Sequence, residues 1–210
     1  MNEAEKDNGR QSVTIMLPGG KLPGAVLQKV TELRKVFTFD IYLTTAQNMR
    51  LYNIEKSELA PIKAALVEVG ATFKKPGLFP LPKVCIGSGN CKLGLADTDA
   101  LSEKIIEHFK DLENVKPKFK IAISGCPAMC SGALLTDIGV VATRNGYDIY
   151  AGGKGGPTPK VARRVARNLE EGEALRIIRE IVDFHQRKTT QKQRIFKLLD
   201  DPEFPSREDG

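Results

Sequence analysis

The four cysteines of this 210-residue chain fall into two pairs. Cys85 and Cys91 stand in CIGSGNC, and Cys126 and Cys130 in SGCPAMCSG. Reduced thiolates in such pairs suit zinc or an iron–sulfur cluster. Structural zinc prefers cysteines about two to four residues apart on tight knuckles. The second pair fits that spacing, and the first is long for it. Small residues surround both pairs: Gly87, Ser88 and Gly89, then Ser124, Gly125, Pro127, Ser131 and Gly132. Glycine lets backbone amides approach a bulky anionic cluster and hydrogen-bond its sulfurs. The chemistry therefore favours a 4Fe–4S cluster over zinc, with inert buried thiols as the third reading.

Elements must place these thiols. KFKIAIS (118–124) reads as a strand running into Cys126, and each pair follows a predicted strand. Asp99 can cap a helix whose apolar face carries Leu101, Ile105, Ile106, Phe109 and Leu112. His108 falls on its opposite, solvated face. IGVVATRNGYDIYAGG holds Asn145-Gly146 between apolar runs, the signal of a type I′ hairpin. Helices are predicted near 159–169 and 172–186, with His185 at the end of the second, where its charged form suits the helix dipole.

The first part of the chain has another pattern. SVTIM (12–16) reads as a strand, and 24–36 as a helix with Val26, Leu27, Val30 and Leu33 on one face. FTFDIYLTT alternates Phe37, Phe39, Ile41 and Leu43 against Thr38, Asp40 and Tyr42, a half-buried strand. RLYNI (50–54) is a further strand, and Ser57 and Pro61 open a helix that ends at Gly70. This is a small α+β unit of split-βαβ character. KKPGLFPLPK, with Pro76, Gly77, Pro80 and Pro82, is a stiff linker and the boundary. The expected organisation is an arm over 1–11, a first unit over 12–75, a second over 76–187, and a polar, peripheral tail over 188–210.

Composition bounds the rest. Hydrophobic residues make up 41% and charged residues 28%, as in an ordinary soluble globular protein. No apolar run is long enough to span a membrane. The polar start, MNEAEKDNGRQ, is no secretory leader, which points to the cytoplasm, where thiols stay reduced and disulfides are disfavoured. The net charge of +6 would suit nucleic acid or an acidic partner. With 6% aromatics and no Trp, a base-stacking surface is not indicated, and no nucleic acid is expected.

Beyond the cysteines, CIGSGNCKLGLADT and ISGCPAMCSGALLTDIGVVA resemble the sirohaem and 4Fe–4S domain of the sulfite and nitrite reductases. GGKGG fits the same domain, while LPGG (17–20) and LTTAQNMRLYNI resemble the ferredoxin-like half-domain that precedes it. The resemblance covers roughly 12–187. The larger enzymes carry the two-part unit twice, and this chain carries it once. The implied fold class is α+β, a ferredoxin-like half-domain followed by a sirohaem/4Fe–4S domain.

The resemblance implies that Cys85, Cys91, Cys126 and Cys130 hold the cluster and that Cys130 also bridges to sirohaem iron. Sirohaem is rich in carboxylates, and Gly153, Lys154, Gly155, Arg163 and Arg164, with Arg167 nearby, are the expected contacts; a solvated basic face is the plain alternative. Lys118 and Lys120 match the family's anion-binding lysines. Alternation places both on one face of their strand with Phe119 opposite. The half-domain's T-x-R-Q motif reads TTAQ here, with Ala46 in place of arginine. Arg50 and Lys83 are candidate substitutes outside the family register. The expected activity is reduction of a small inorganic anion, sulfite to sulfide or nitrite to ammonia, with electrons from a ferredoxin-type donor. The alternative is a non-catalytic electron-transfer or sirohaem-carrier protein of the same fold. Lys120 stands six residues before Cys126, roughly 20 Å of extended strand. That separation favours a homodimer whose copies share sites.

Overall fold

The computed structural model describes residues 9–116, 118–189 and 193–207. The chain divides into two compact units between Lys75 and Pro76, at the Pro-rich boundary.

In the first unit, β1 (Arg10–Ile15), β2 (Asp40–Leu43) and β3 (Met49–Glu55) form an antiparallel sheet in the order β1-β3-β2. Helices α1 (Gly24–Val36) and α2 (Leu59–Glu68) follow β1 and β3. Past α2 the chain returns beside β1, where Met16 donates to the Thr72 carbonyl and Lys74 to that of Thr14. Phe73 bridges Ile15 there, so a rudimentary fourth strand completes a ferredoxin-like order. Val26, Val30 and Leu33 of α1 and Ile62 and Leu66 of α2 share one buried cluster with Ile15, Met49 and Leu51. Of the expected arm, residues 1–8 lie outside the described residues, and Arg10 and Gln11 belong to β1.

Two expectations for this unit fail, the first at Leu27 of α1, which is 51% exposed while Val26, Val30 and Leu33 are buried. Phe39 is buried, but Ile41 is 46% and Leu43 68% exposed. They pair with the buried Leu51 and Met49, so they share the core-facing side of the sheet. The apolar alternation is present, but β2 is an edge strand lying beyond the buried cluster.

The second unit is built on a five-stranded sheet ordered β4-β5-β6-β7-β8. Its strands are β4 (Lys83–Val84), β5 (Ile121–Ser124), β6 (Ile138–Thr143), β7 (Gly146–Ala151) and β8 (Arg163–Leu169). β4, β5 and β6 run parallel; β7 and β8 are added antiparallel. Helices α3 (Thr98–His108) and α4 (Glu171–Lys188) contribute to the main core. Ile121, Ile123, Val140, Ile149 and Val165 meet Leu101, Ile105, Phe109, Ile177, Ile178 and Ile181 there. Phe79 of the linker stacks on Phe109 at 4.3 Å, so the linker is anchored to this unit.

Several local expectations change. Residues 163–169 are a strand, not a helix. Ala162, Val165 and Ala166 are buried and Leu169 is partly buried, a spacing that also suits a helix. Register shifts against β7 let the consecutive Val165 and Ala166 both enter the core, and pairing with β7 overrides local propensity. Asp97, not Asp99, caps α3, accepting from the amides of Asp99 and Ala100 at 3.0 Å each. The β6–β7 hairpin turns through Arg144 and Asn145, with positive φ only at Gly146, so it is not type I′. His108 is exposed, as expected.

His185 lies in the last turn of α4, as expected, but it is buried. Burial pushes its pKa down, and its Nε2 lies 2.7 Å from the Gln193 carbonyl oxygen. The tail is not peripheral either. Ile195, Leu198 and Phe204 belong to the core. Arg194 donates to buried Asp137 at 2.6 Å and to the Gly153 carbonyl at 3.2 Å. Burial nonetheless holds the Asp137 carboxyl above its ordinary range, against the pull of Arg194. Removing one partner of a buried pair leaves the other charge uncompensated. Arg194→Met is therefore expected to destabilise the second unit by about 3 kcal/mol. Urea unfolding followed by circular dichroism checks this, and an unmoved midpoint would refute the clamp.

Candidate iron–sulfur site

Cys85 directly follows β4 and Cys126 lies two residues past β5, and these strands are parallel neighbours. Both cysteine loops therefore leave the sheet at the same edge, outside the carboxyl ends of the strands, where open α/β sheets place their ligands. The register, Val84 against Ile123, makes the two exits level.

Backbone contacts lock the loops together. Cys85 N–H donates to the Ile123 carbonyl at 3.2 Å, and Leu95 N–H to that of Gly125 at 2.7 Å. Gly125 N–H points at the Cys85 Sγ, 3.1 Å away. Within the first loop, Cys91 N–H bonds to the Gly87 carbonyl and Ser88 N–H to that of Ala96. Thr98, at the start of α3, bonds through Oγ1 to the Cys85 carbonyl at 2.6 Å. In the second loop, Met129 N–H returns to the Cys126 carbonyl and Gly132 N–H to that of Met129. The buried Ser124 and Ser131 hydroxyls lie 2.6 Å apart and close its base.

The glycines make this packing possible. Gly87 has φ +66°, and a Cβ there would stand 2.6 Å from Thr98 Oγ1. A Cβ on Gly94 would meet Ser88 N at 2.5 Å. Any side chain at these positions would force the first loop open.

All four cysteines are free thiols; Cys130 is exposed and the others are half-buried. Among the described residues, no group of three or more His, Cys, Asp or Glu stands close enough to hold a metal ion. A cuboidal cluster holds its ligands at separate iron corners, so it needs the thiolates spread around a larger body. The amide aimed at Cys85 Sγ is the kind of contact that supports cluster sulfur. The donor set thus fits a 4Fe–4S cluster. Large apolar side chains flank the cysteines along the chain and are open to solvent: Ile86, Leu93, Leu95 and Leu135. Such exposed apolar side chains fit an apolar macrocycle better than water. Sequence reasoning missed these residues, because exposure of single leucines is not visible in a local pattern.

The other expected site residues are less concentrated. Lys120 and Lys118 are exposed at the amino-terminal end of β5, with Phe119 buried opposite. Lys118 has φ +73° and lies in a turn, since the strand starts only at Ile121. Lys120 N–H bonds to Asp137 Oδ2 at 2.9 Å. Lys83 lies near Lys120; partial burial, then the Lys120 charge, push its pKa down. Arg50 belongs to the first unit, where it donates to Ser12 Oγ at 2.7 Å. Gly153 is buried against the backbone of Leu134 and Thr136, which explains its glycine without a cofactor. Lys154 bonds to Thr158 Oγ1 at 2.8 Å, at the base of an exposed loop that includes Gly155. Arg163 pairs with Asp200 and the Leu199 carbonyl, and Arg164 with Asp148 at 3.5 Å. These arginine pairs are at least partly open to solvent, so they hold the side chains only weakly.

Fold and site together define an iron–sulfur redox domain preceded by a ferredoxin-like unit. Residues 81–202 match the nitrite and sulphite reductase 4Fe-4S domain, and residues 3–69 the nitrite/sulfite reductase ferredoxin-like half domain. The first match covers more than half of the chain, which belongs to the nitrite and sulphite reductase family; its cofactors are a 4Fe–4S cluster and sirohaem. The chain is 28% identical over 195 residues to a nitrite reductase [NAD(P)H] of Emericella nidulans, covering 92% of this chain and 18% of that protein. It is 27% identical over 198 residues to an assimilatory-type sulfite reductase of Nitratidesulfovibrio vulgaris, covering 93% and 89%. The fold resembles the NirA protein of Mycobacterium tuberculosis with TM-score 0.73 at 21% identity, covering 92% of this chain and 38% of that one. The chain thus spans about a fifth of the nitrite reductase and most of the small sulfite reductase.

Gly94→Ala should reduce cluster content as severely as Cys126→Ser, although it removes no ligand. Iron and acid-labile sulfide analysis of the purified protein checks this, and normal content in Gly94→Ala would refute the packing argument.

Proposed function

We propose that the protein reduces a small inorganic oxyanion, sulfite to sulfide or nitrite to ammonia, taking electrons from a ferredoxin-type donor. The observation that supports this reading best is that the loops of Cys85 and Cys126 leave the parallel strands β4 and β5 at one sheet edge, with the Gly125 N–H aimed at the Cys85 Sγ. When bound there, the cluster and sirohaem would supply electrons to the substrate. Cys85, Cys91, Cys126 and Cys130 would hold the cluster, with Cys130 also facing the sirohaem iron. Lys154 and Gly155 on the exposed loop, with Arg163 and Arg164, would meet the sirohaem carboxylates by displacing weak surface pairs.

Removing oxygen from either anion consumes protons along with electrons, so the site needs cations that bind the anion and proton donors that follow it. Lys118 and Lys120 are the chain's candidates. The Lys120 charge lies near that of Lys83, and the nearby acid Asp137 is engaged by Arg194. Arg50 remains a candidate from the first unit. Holo-protein supplied with a strong reductant is expected to consume sulfite or nitrite. Lys118→Met and Lys120→Met are expected to lower turnover about a hundredfold with sirohaem and iron content nearly unchanged. Holo-protein that reduces neither anion would replace the reductase reading with the carrier one.

For assembly we propose a homodimer joined through β2. Among the described residues this strand pairs with β3 alone. Thr44 N–H bonds inward to Asn48, so alternation turns the peptide groups of Ile41 and Leu43 outward. An antiparallel copy centred on Tyr42 would pair Ile41 with Leu43 in both directions, uniting exposed apolar side chains. Residues 37–48 contain no Lys or Arg, the charges that ordinarily guard an edge. Sharing of active sites is not required by distance, since Lys120 acts on Lys83, two residues from Cys85. Light scattering should give a dimer, and Leu43→Lys a monomer; a monomeric wild type would overturn this assembly.

A further inference from the structure

We propose that Lys83 is the fixed positive charge that raises the reduction potential of the cluster; this rests on the cluster assignment above. Lys83 belongs to β4, and the next residue, Val84, points into the main core. The Lys83 side chain therefore leaves the opposite face. The next residue on that face is Cys85, about 6.6 Å further along an extended chain. The Lys83 Nζ lies 3.3 Å from where a Cβ on Gly132 would stand. Gly132 comes two residues after Cys130. The ammonium thus lies between the backbones that carry two of the cluster ligands, one from each cysteine loop.

Among the described residues, no carboxylate or other acceptor is bonded to Lys83, and the neighbouring charge that acts on it is another cation, Lys120. The acid just before β6, Asp137, which accepts from the Lys120 N–H, is already paired with Arg194. A half-buried ammonium beside a second cation is costly unless an anion faces it. The cluster with its four thiolates is such an anion. Reduction adds an electron to it, and a nearby cation stabilises the more negative form more strongly. A positive charge at Lys83 therefore raises the potential and eases electron entry from the donor. Lys83 acts through the cluster and does not touch the substrate, so it is a positioning charge and not a catalytic residue.

The test is a redox titration of the cluster in the holo full-length chain, followed by electron paramagnetic resonance, for wild type, Lys83→Gln and Lys83→Arg. Iron, sulfide and sirohaem contents are measured in parallel. The expected result is a lower potential in Lys83→Gln at unchanged cofactor content, with Lys83→Arg close to wild type. If Lys83→Gln does not load, Lys83→Met, which keeps most of the apolar stem, is titrated in its place and must show the same downward shift. An unchanged potential in a loaded neutral variant overturns the proposal, as does failure of both neutral variants to load while Lys83→Arg loads poorly too. Loss of sirohaem with an unchanged cluster potential also overturns it, assigning Lys83 to a sirohaem carboxylate. Wild-type protein containing zinc without sulfide would instead defeat the cluster reading, a distinguishable failure.

Discussion

The parallel pairing of β4 with β5 is the constraint on which the candidate site depends. β4 contributes only Lys83 and Val84 to the sheet, yet that short register brings Cys85 level with the exit of β5. Parallel neighbours need a long crossover between them. Here the crossover contains the first cysteine loop and α3, which packs back on the main core. The same connection that permits the parallel pair therefore carries Cys91, and the Thr98 hydroxyl at the start of α3 ties the helix to the Cys85 carbonyl. Fold and ligand set are one arrangement of the chain.

The two faces of this sheet have different work. One face is filled by branched aliphatic side chains and the two helices, and it supplies rigidity. The other carries a small cluster of Ala122, Ala133 and Val141 beneath the loop that follows Cys126. Small side chains there let the loop lie close to the strands. Lys83, at the start of β4, lies near Lys120, which precedes β5. The carboxy-terminal segment completes the frame, because Arg194 joins Asp137 at the foot of the sheet to Gly153 on the far strand connection.

Much of this was legible in the sequence. The helix at 24–36, the two units and the burial of Phe119 between its flanking lysines all follow from local pattern. Local pattern misread 163–169, because register shifts in a strand can imitate the spacing of a helix face. It also misread His185 and the tail, since a polar stretch can still bring Ile195, Leu198 and Phe204 to a distant core.

What the sequence by itself determined is chemistry that depends on residue type: four thiols, small residues around them, and a matched pair of lysines. These need no fold to be recognised, because their reactivity and size belong to the side chains. What only the tertiary structure decided is which groups face one another. That Cys85 and Cys126 leave one sheet edge together, and that Lys83 reaches Gly132, depend on strand register between segments almost forty residues apart. Register is set by burial and long-range hydrogen bonding, and neither is written in any short stretch of the chain.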